Sequence, residues 1–213
     1  EEECKNAEFA FQELKNFYRE KERIFSRFDQ NSELSKLNKN LNSFRKASGD
    51  MVKVAESSLY FNRFSEGYFD ARIIEILETY GYNNSFKEAN FEIKNGNSFA
   101  ALKNNLQEDL KIEGNKIFSK KRIDFSGIAK GYITDEAVKF LRKKGFNNFL
   151  LDSGGDMFAS GLDQFGEKWK ISIEGVPEEN FFFGIRDEAA ATSGITRRKW
   201  EIGGKRSHHL INP

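Results

Sequence analysis

The sequence predicts an α+β fold, with a largely antiparallel sheet and helices packed on it, from three observations. Helical periodicity comes first along the chain. Short strand-like segments follow it. A Gly-Asn turn at Gly114-Asn115 joins two alternating stretches as a hairpin. At 213 residues the chain can bury one good core, so residues 1–213 are expected to form a single domain.

Ala7, Phe11, Leu14, Tyr18 and Phe25 recur at helical spacing and predict an amphipathic helix over 7–25. Phe28 to Ser32 reads as a turn, followed by a short helix over 32–38 that Ser or Asp could cap. A second long helix is expected over 50–64, with Val52, Ala55 and Leu59 inward and Gly67 as its left-handed stop. Residues 85–110 are rich in Asn, Lys and Glu and read as a variable surface excursion containing a short helix. The hairpin over 110–118 follows. Ile123-Asp124 is expected to end a short strand, and the next helix to start near Gly131. That helix should turn Ile133, Ala137, Phe140 and Leu141 to one face and stop at Gly145. Strands are expected at 147–151, 156–160, 169–173, 181–186, 189–192 and 206–211.

Composition narrows the function classes. Thirty-four basic and 33 acidic residues are interleaved, so no basic stripe marks a nucleic-acid footprint. The low hydrophobic share of 38% is offset by 22 phenylalanines, each burying a large apolar area. One cysteine, Cys4, rules out an internal disulfide and leaves no Cys-based zinc site. No apolar run approaches the roughly 20 residues of a membrane span. The text opens on Glu1-Glu2-Glu3, so a signal peptide or lipid anchor is expected only in a segment absent from it.

Four punctuated segments hold the candidate chemistry. In the stretch from Ile123 to Asp135, Asp124, Gly127 and Lys130 together could bring a carboxylate, a backbone carbonyl and an ammonium around one diphosphate. The same spacing also suits an ordinary turn with a surface lysine, and it matches neither the P-loop nor the dinucleotide fingerprint. Asp152-Ser153-Gly154-Gly155-Asp156 joins two strands as a tight hairpin or bulge, and its carboxylates would need a divalent cation before they met a phosphate. Thr192-Ser193-Gly194 offers hydroxyls in a turn of a common kind. His208 and His209 are the only histidines. In a strand they face opposite sides, so at most one enters a site, where it could serve as a general base.

Taken in order, six blocks resemble the ApbE family of FAD:protein FMN transferases. They are Phe25-Ser26-Arg27-Phe28-Asp29 with Ser32-Glu33-Leu34-Ser35 and Leu37-Asn38; Gly67-Tyr68-Phe69-Asp70; the Asp124–Asp135 segment; Gly154-Gly155-Asp156; Ala191-Thr192-Ser193-Gly194; and His209-Leu210-Ile211-Asn212-Pro213. The resemblance runs from about Phe11 to Pro213, and the blocks Ile128-Ala129-Lys130-Gly131-Tyr132 and His209 to Pro213 are its most specific parts.

The resemblance implies a T-fold-like single domain and a Mg2+-dependent transfer. The FMN half of FAD would move to a threonine hydroxyl of an acceptor flavoprotein, releasing AMP. It implies that Phe28, Tyr68, Phe69, Asp70, Asp124, Lys130 and Ile211 contact FAD, that Gly127 gives Mg2+ its carbonyl oxygen, and that His209 is the base. Some relatives hydrolyse FAD to FMN and AMP instead, and a non-catalytic FAD-binding relative is the other alternative. The family is commonly exported, so the expected location is the cell envelope, on the periplasmic or extracytoplasmic face of the inner membrane. This sequence lacks the family's opening strand and the segment beyond His-Leu-Ile-Asn-Pro, whose Asp and Thr would complete the magnesium site.

Overall fold

Spacing of apolar side chains makes the N-terminal segment one long helix, α1 (Glu2–Phe25), with Ala10, Leu14 and Phe25 buried. Phe11 is 64% exposed, contrary to the expected face. A three-and-four spacing is compatible with two neighbouring faces, and burial follows Ala10 and Leu14, with Phe17 and Tyr18 beside them. The computed structural model describes residues 2–82, 105–173, 175–177, 181–194, 199–202 and 205–211, so most of the expected 85–110 excursion lies outside the described residues. None of the described helices is long and apolar enough to cross a membrane.

The chain divides into two compact units, residues 1–19 with 130–193 and residues 20–129 with 194–213. The second unit begins with the end of α1. A six-residue helix follows, α2 (Glu33–Asn38), capped by Ser32, whose Oγ accepts the Ser35 N–H at 3.0 Å. Strand β1 (Arg45–Lys46) leads to α3 (Gly49–Phe64), capped by Ser48. Its buried face is Met51, Val54, Ala55, Ser58 and Asn62. Val52 and Leu59, expected inward, are half-buried flanks of that stripe. Gly67, at φ +91, ends the turn, and its N–H reaches the Asn62 carbonyl at 2.8 Å.

Two short helices, α4 (Ile74–Thr79) and α5 (Leu106–Asp109), precede the hairpin β2 (Leu110–Glu113) and β3 (Lys116–Ser119). β3 lies between β1 and β2, antiparallel to both. Residues 122–125 are not a strand, and α6 (Ser126–Lys143) starts five residues before the expected Gly131. Ile123 and Phe125 are fully buried, which explains why they read as strand, but the Asp124 N–H between them bonds the Ala71 carbonyl at 2.7 Å rather than a ladder. This unit ends with an antiparallel pair, β9 (Lys199–Ile202) and β10 (Lys205–His208). The expected strand over 206–211 therefore starts one residue earlier and stops at His208. Its partner β9 was not anticipated.

In the first unit α6 ends at Lys143, and Gly145, the expected stop, follows in the turn at φ +90. Leu14, Ala137, Val138 and Leu151 form the buried core, with Phe17, Tyr18, Phe140, Leu141, Phe149 and Phe158 packed around them. Strands β4 (Phe149–Asp152), β5 (Asp156–Ser160) and β8 (Glu188–Ala191) make an antiparallel sheet with β5 central. β6 (Trp169–Ser172) and β7 (Phe182–Ile185) pair separately, again antiparallel. Every described strand pair is antiparallel, as the α+β reading requires.

Candidate functional site

Within the second unit, neighbouring contacts tie several of the expected FAD-contacting residues together. Phe28 and Ile211 pack on one cluster with Leu77, Tyr82, Trp200 and Ile73, although 183 positions separate them (211 − 28). Asp124 adjoins that cluster through Arg27, whose Nε lies 3.1 Å from Asp124 Oδ2. Asp124 Oδ1 accepts the Ser126 N–H at 2.7 Å, a bond two residues along the chain that holds the carboxylate just ahead of α6. Oδ2 is buried and makes an ion pair with Arg27 and no hydrogen bond. The segment is held from behind by Asn38, whose side-chain amide donates to the Ile123 carbonyl and accepts the Ile123 N–H, both at 2.9 Å.

Phe69 lies beside Gly127. A Cβ on Gly127 would stand 3.2 Å from the edge of the Phe69 ring, so the glycine here makes room for an aromatic ring. Tyr68 is 72% exposed. Asp70 is buried and its carboxylate is occupied: Arg72 reaches Oδ1 with Nε at 3.0 Å and Oδ2 with Nη2 at 2.6 Å, and the Arg72 N–H adds 2.8 Å. Arg72 also donates to Asp109 at 2.6 Å. Burial alone would lower the pKa of Arg72. The hydrogen bonds and charges of Asp70 and Asp109 outweigh that and hold it above its ordinary value.

His209 follows the end of β10 and is half-buried, whereas its neighbour His208, the last residue of that strand, is exposed. Ser207 of the same strand pairs in register with Trp200, and Ile211 packs on the Trp200 cluster, so His209 lies between two anchored positions.

Lys130 belongs to the first unit, where its ammonium pairs with Asp156 at 2.9 Å. It lies within α6 and not at a helix start, which corrects the expected placement. Asp156 follows the turn that links β4 to β5, in which Gly154 and Gly155 have φ of +77 and +98, backbone that side-chain-bearing residues rarely adopt. Asp152 Oδ1 accepts the Gly155 N–H at 2.7 Å, and the Ser153 N–H donates to the Asp156 carbonyl at 2.9 Å. Thr192 and Ser193 are exposed, and the Thr192 N–H meets the Gly155 carbonyl at 3.1 Å.

A chain of hydroxyls supports this turn. Thr134 Oγ1 is 2.9 Å from the Lys130 carbonyl and 2.8 Å from Ser153 Oγ, which is 2.5 Å from Tyr18 Oη. The carbonyl only accepts and each hydroxyl has one proton, so Thr134 donates to Lys130, Ser153 to Thr134, and Tyr18 to Ser153. Burial pushes the Tyr18 pKa up, the Ser153 contact opposes this, and the Asp152 charge adds to it. A folded-state pKa above the unfolded value means the phenol's contribution is intact below pH ~10 and is lost as pH rises through the folded value. Urea unfolding between pH 8 and 11 should therefore show a loss of stability that a Tyr18→Phe variant lacks. At pH 8 that variant should be weaker by about 0.5–1.5 kcal/mol, the loss of one hydrogen bond.

For magnesium, the expected ligand Gly127 lies in the first turn of α6. Among the described residues no three His, Cys, Asp or Glu side chains gather to hold a cation. Mg2+ usually takes about six oxygens in octahedral geometry, so these residues do not fit the ion by themselves.

Arg27, Tyr82, Trp200, Arg72 and the Tyr18–Ser153–Thr134 chain were not assigned roles from sequence. The signal for Arg27 was its place inside the first family block. That for Trp200 was the alternating Lys199-Trp200-Glu201-Ile202 before Gly203-Gly204, a hairpin pattern.

The ApbE family model matches residues 4–213. The FAD:protein FMN transferase of Vibrio cholerae is 28% identical over 200 residues, covering 88% of this chain and 58% of the relative. That of Haemophilus influenzae is 25% identical over 223 residues, covering 97% and 64%. Among solved structures, the ApbE protein from Thermotoga maritima superposes with a TM-score of 0.81 at 21% identity, over 96% of this chain and 68% of that one. A variant of the flavin transferase ApbE from V. cholerae gives 0.74 at 24% identity, over 88% and 65%. The chain spans about three-fifths of the length of these curated relatives. A family match along almost every residue, on a fold that two ApbE structures share, means that the chain belongs to the ApbE family.

Proposed function

We propose that this chain carries part of an enzyme that transfers the FMN half of FAD to a threonine hydroxyl of an acceptor flavoprotein, in a Mg2+-dependent reaction that releases AMP. The observation that carries the reading is the family match over residues 4–213, whose relatives are named FAD:protein FMN transferase. The threonine oxygen bonds to the FMN phosphorus, the phosphoanhydride bond breaks, and AMP leaves with the electron pair. His209 takes the hydroxyl proton. A base so placed contributes typically ~10²–10⁴-fold.

Lys130 offsets charge on the phosphoryl oxygens, and its pair with Asp156 at 2.9 Å supports that role by fixing the ammonium. Phe28, Phe69 and Ile211 give FAD its apolar contacts, Tyr68 an exposed ring, and Asp124 a hydrogen-bond acceptor. Asp70 serves from behind, by anchoring the Tyr68-Phe69 segment through Arg72. The Gly127 carbonyl is the one oxygen of this chain that the family pattern would assign to Mg2+, which would supply charge neutralisation at the phosphoryl group.

The test mixes the protein with FAD, Mg2+ and an acceptor protein bearing the target threonine, then measures AMP and covalent flavin on the acceptor. Equal amounts of both are expected. AMP with free FMN and no acceptor labelling would make the protein a FAD diphosphatase. Tight FAD binding without AMP would make it a non-catalytic binder. The reading includes an extracytoplasmic location in the cell envelope, which protease accessibility in spheroplasts checks.

A further inference from the structure

Arg27 has no role in the reaction just proposed, yet its guanidinium meets the neighbouring Phe28 and two separated stretches of the second unit, at Tyr82 and Asp124. The guanidinium carbon lies 4.3 Å from the centre of the Phe28 ring and 4.5 Å from that of Tyr82. Nη2 donates to the Tyr82 carbonyl at 3.1 Å, and Nε stands 3.1 Å from Asp124 Oδ2. Tyr82 packs on Trp200 with ring centres 5.4 Å apart, and Ile211 joins the same cluster. The side chains of Arg27 and Asp124 are 8% and 2% exposed, so this is no solvated surface pair.

We propose that Arg27 is a positioning residue for FAD, an inference that rests on the flavin-transfer reading. It holds the Asp124 carboxylate and the Phe28 ring, two groups expected to touch FAD, in a fixed mutual arrangement before the ligand arrives. Two features separate this from a merely structural ion pair. Arg27 balances the charge of Asp124 without filling Oδ2, which is left buried with no hydrogen bond. With Arg27 on one oxygen and the Ser126 N–H on the other, the carboxylate is fixed relative to the Phe28 ring that the same guanidinium covers. A planar guanidinium also has two faces for rings and an edge for donors, and a lysine ammonium has neither.

The test uses Arg27→Lys and Arg27→Met, with FAD affinity read by flavin fluorescence, kcat and KM for FAD by AMP release, and folding by thermal midpoint. Lysine keeps the charge near Asp124 and loses the stacked plane and the Tyr82 contact. Its Kd and KM for FAD should rise by about tenfold with kcat changed less than about twofold, the scale of a lost charged hydrogen bond. Methionine keeps an apolar stem and strands the buried carboxylate, so affinity should fall by about a hundredfold and the midpoint should drop as well. Wild-type FAD affinity in a folded Arg27→Lys protein would overturn the role of Arg27 and leave the transfer reading intact. A fall in kcat with KM unchanged would overturn it equally. Failure of the unaltered protein to bind FAD would overturn the transfer reading, and this inference with it.

Discussion

Replacing Arg72 with methionine is expected to cost about 3–5 kcal/mol of folding stability, the penalty for leaving a buried charge without its partner. Two carboxylates lose their main partner together: the side chains of Asp70 and Asp109 are 3% and 7% exposed and Arg72 binds both at 2.6 Å, while the partly exposed Lys120 ammonium stands 3.9 Å from Asp109 Oδ1. The two acids lie 39 positions apart (109 − 70), on either side of the stretch outside the described residues, so the guanidinium joins the segment before α4 to the end of α5. Urea unfolding of the variant, compared with the parent at one pH, measures the effect. A loss below about 1 kcal/mol would mean that water or another cation reaches these carboxylates and that the triad is not buried as described. Changing Asp70 and Asp109 to Asn in the same variant should recover part of the loss, because amides do not carry the stranded charge.

His209→Asn should lower flavin transfer by about 10²–10⁴-fold with little change in FAD affinity, since an amide keeps a polar group of similar size but cannot take a proton near neutral pH. The measurement pairs the rate of acceptor labelling with the FAD dissociation constant. His208→Asn provides the contrast: that side chain is exposed, and its loss should change the rate less than about twofold. Equal effects of the two substitutions would remove His209 from the chemistry. A hundredfold weaker FAD binding by His209→Asn with an unchanged rate at saturation would make it a binding group instead.

Much of the fold was written in local signals. Ser32 caps α2, Gly145 turns the chain after α6, and Gly114-Asn115 turns the hairpin as the residue types demand. The misread segment before α6 has a physical cause, which is burial without regular structure. Ile123 and Phe125 are fully buried and flank an acid, the pattern of a strand, but the intervening Asp124 is also buried because Arg27 meets its charge. A partner 97 positions earlier (124 − 27) leaves no trace in local periodicity. The same holds for Arg72, which reads as an ordinary charged residue until its two acids are seen. Phe28 and Ile211 were named from the family pattern and do share a cluster, while the Tyr82–Trp200 contact that joins them was invisible because Trp200 lies on the unanticipated β9. Family pattern thus named positions that share a cluster, while the long-range contacts that hold them, Arg27 to Asp124 and Tyr82 to Trp200, have no local signal.

The clamp between Asn38 and Ile123 has a consequence for the ageing of this protein. The side-chain amide imitates a peptide unit, giving one N–H and taking one from the same residue. Deamidation to aspartate would preserve the shape and remove the donor, turning a matched pair of bonds into a carboxylate facing a carbonyl oxygen. A preparation that slowly acquires negative charge at this site should loosen where Asp124 begins, long before any unfolding is seen.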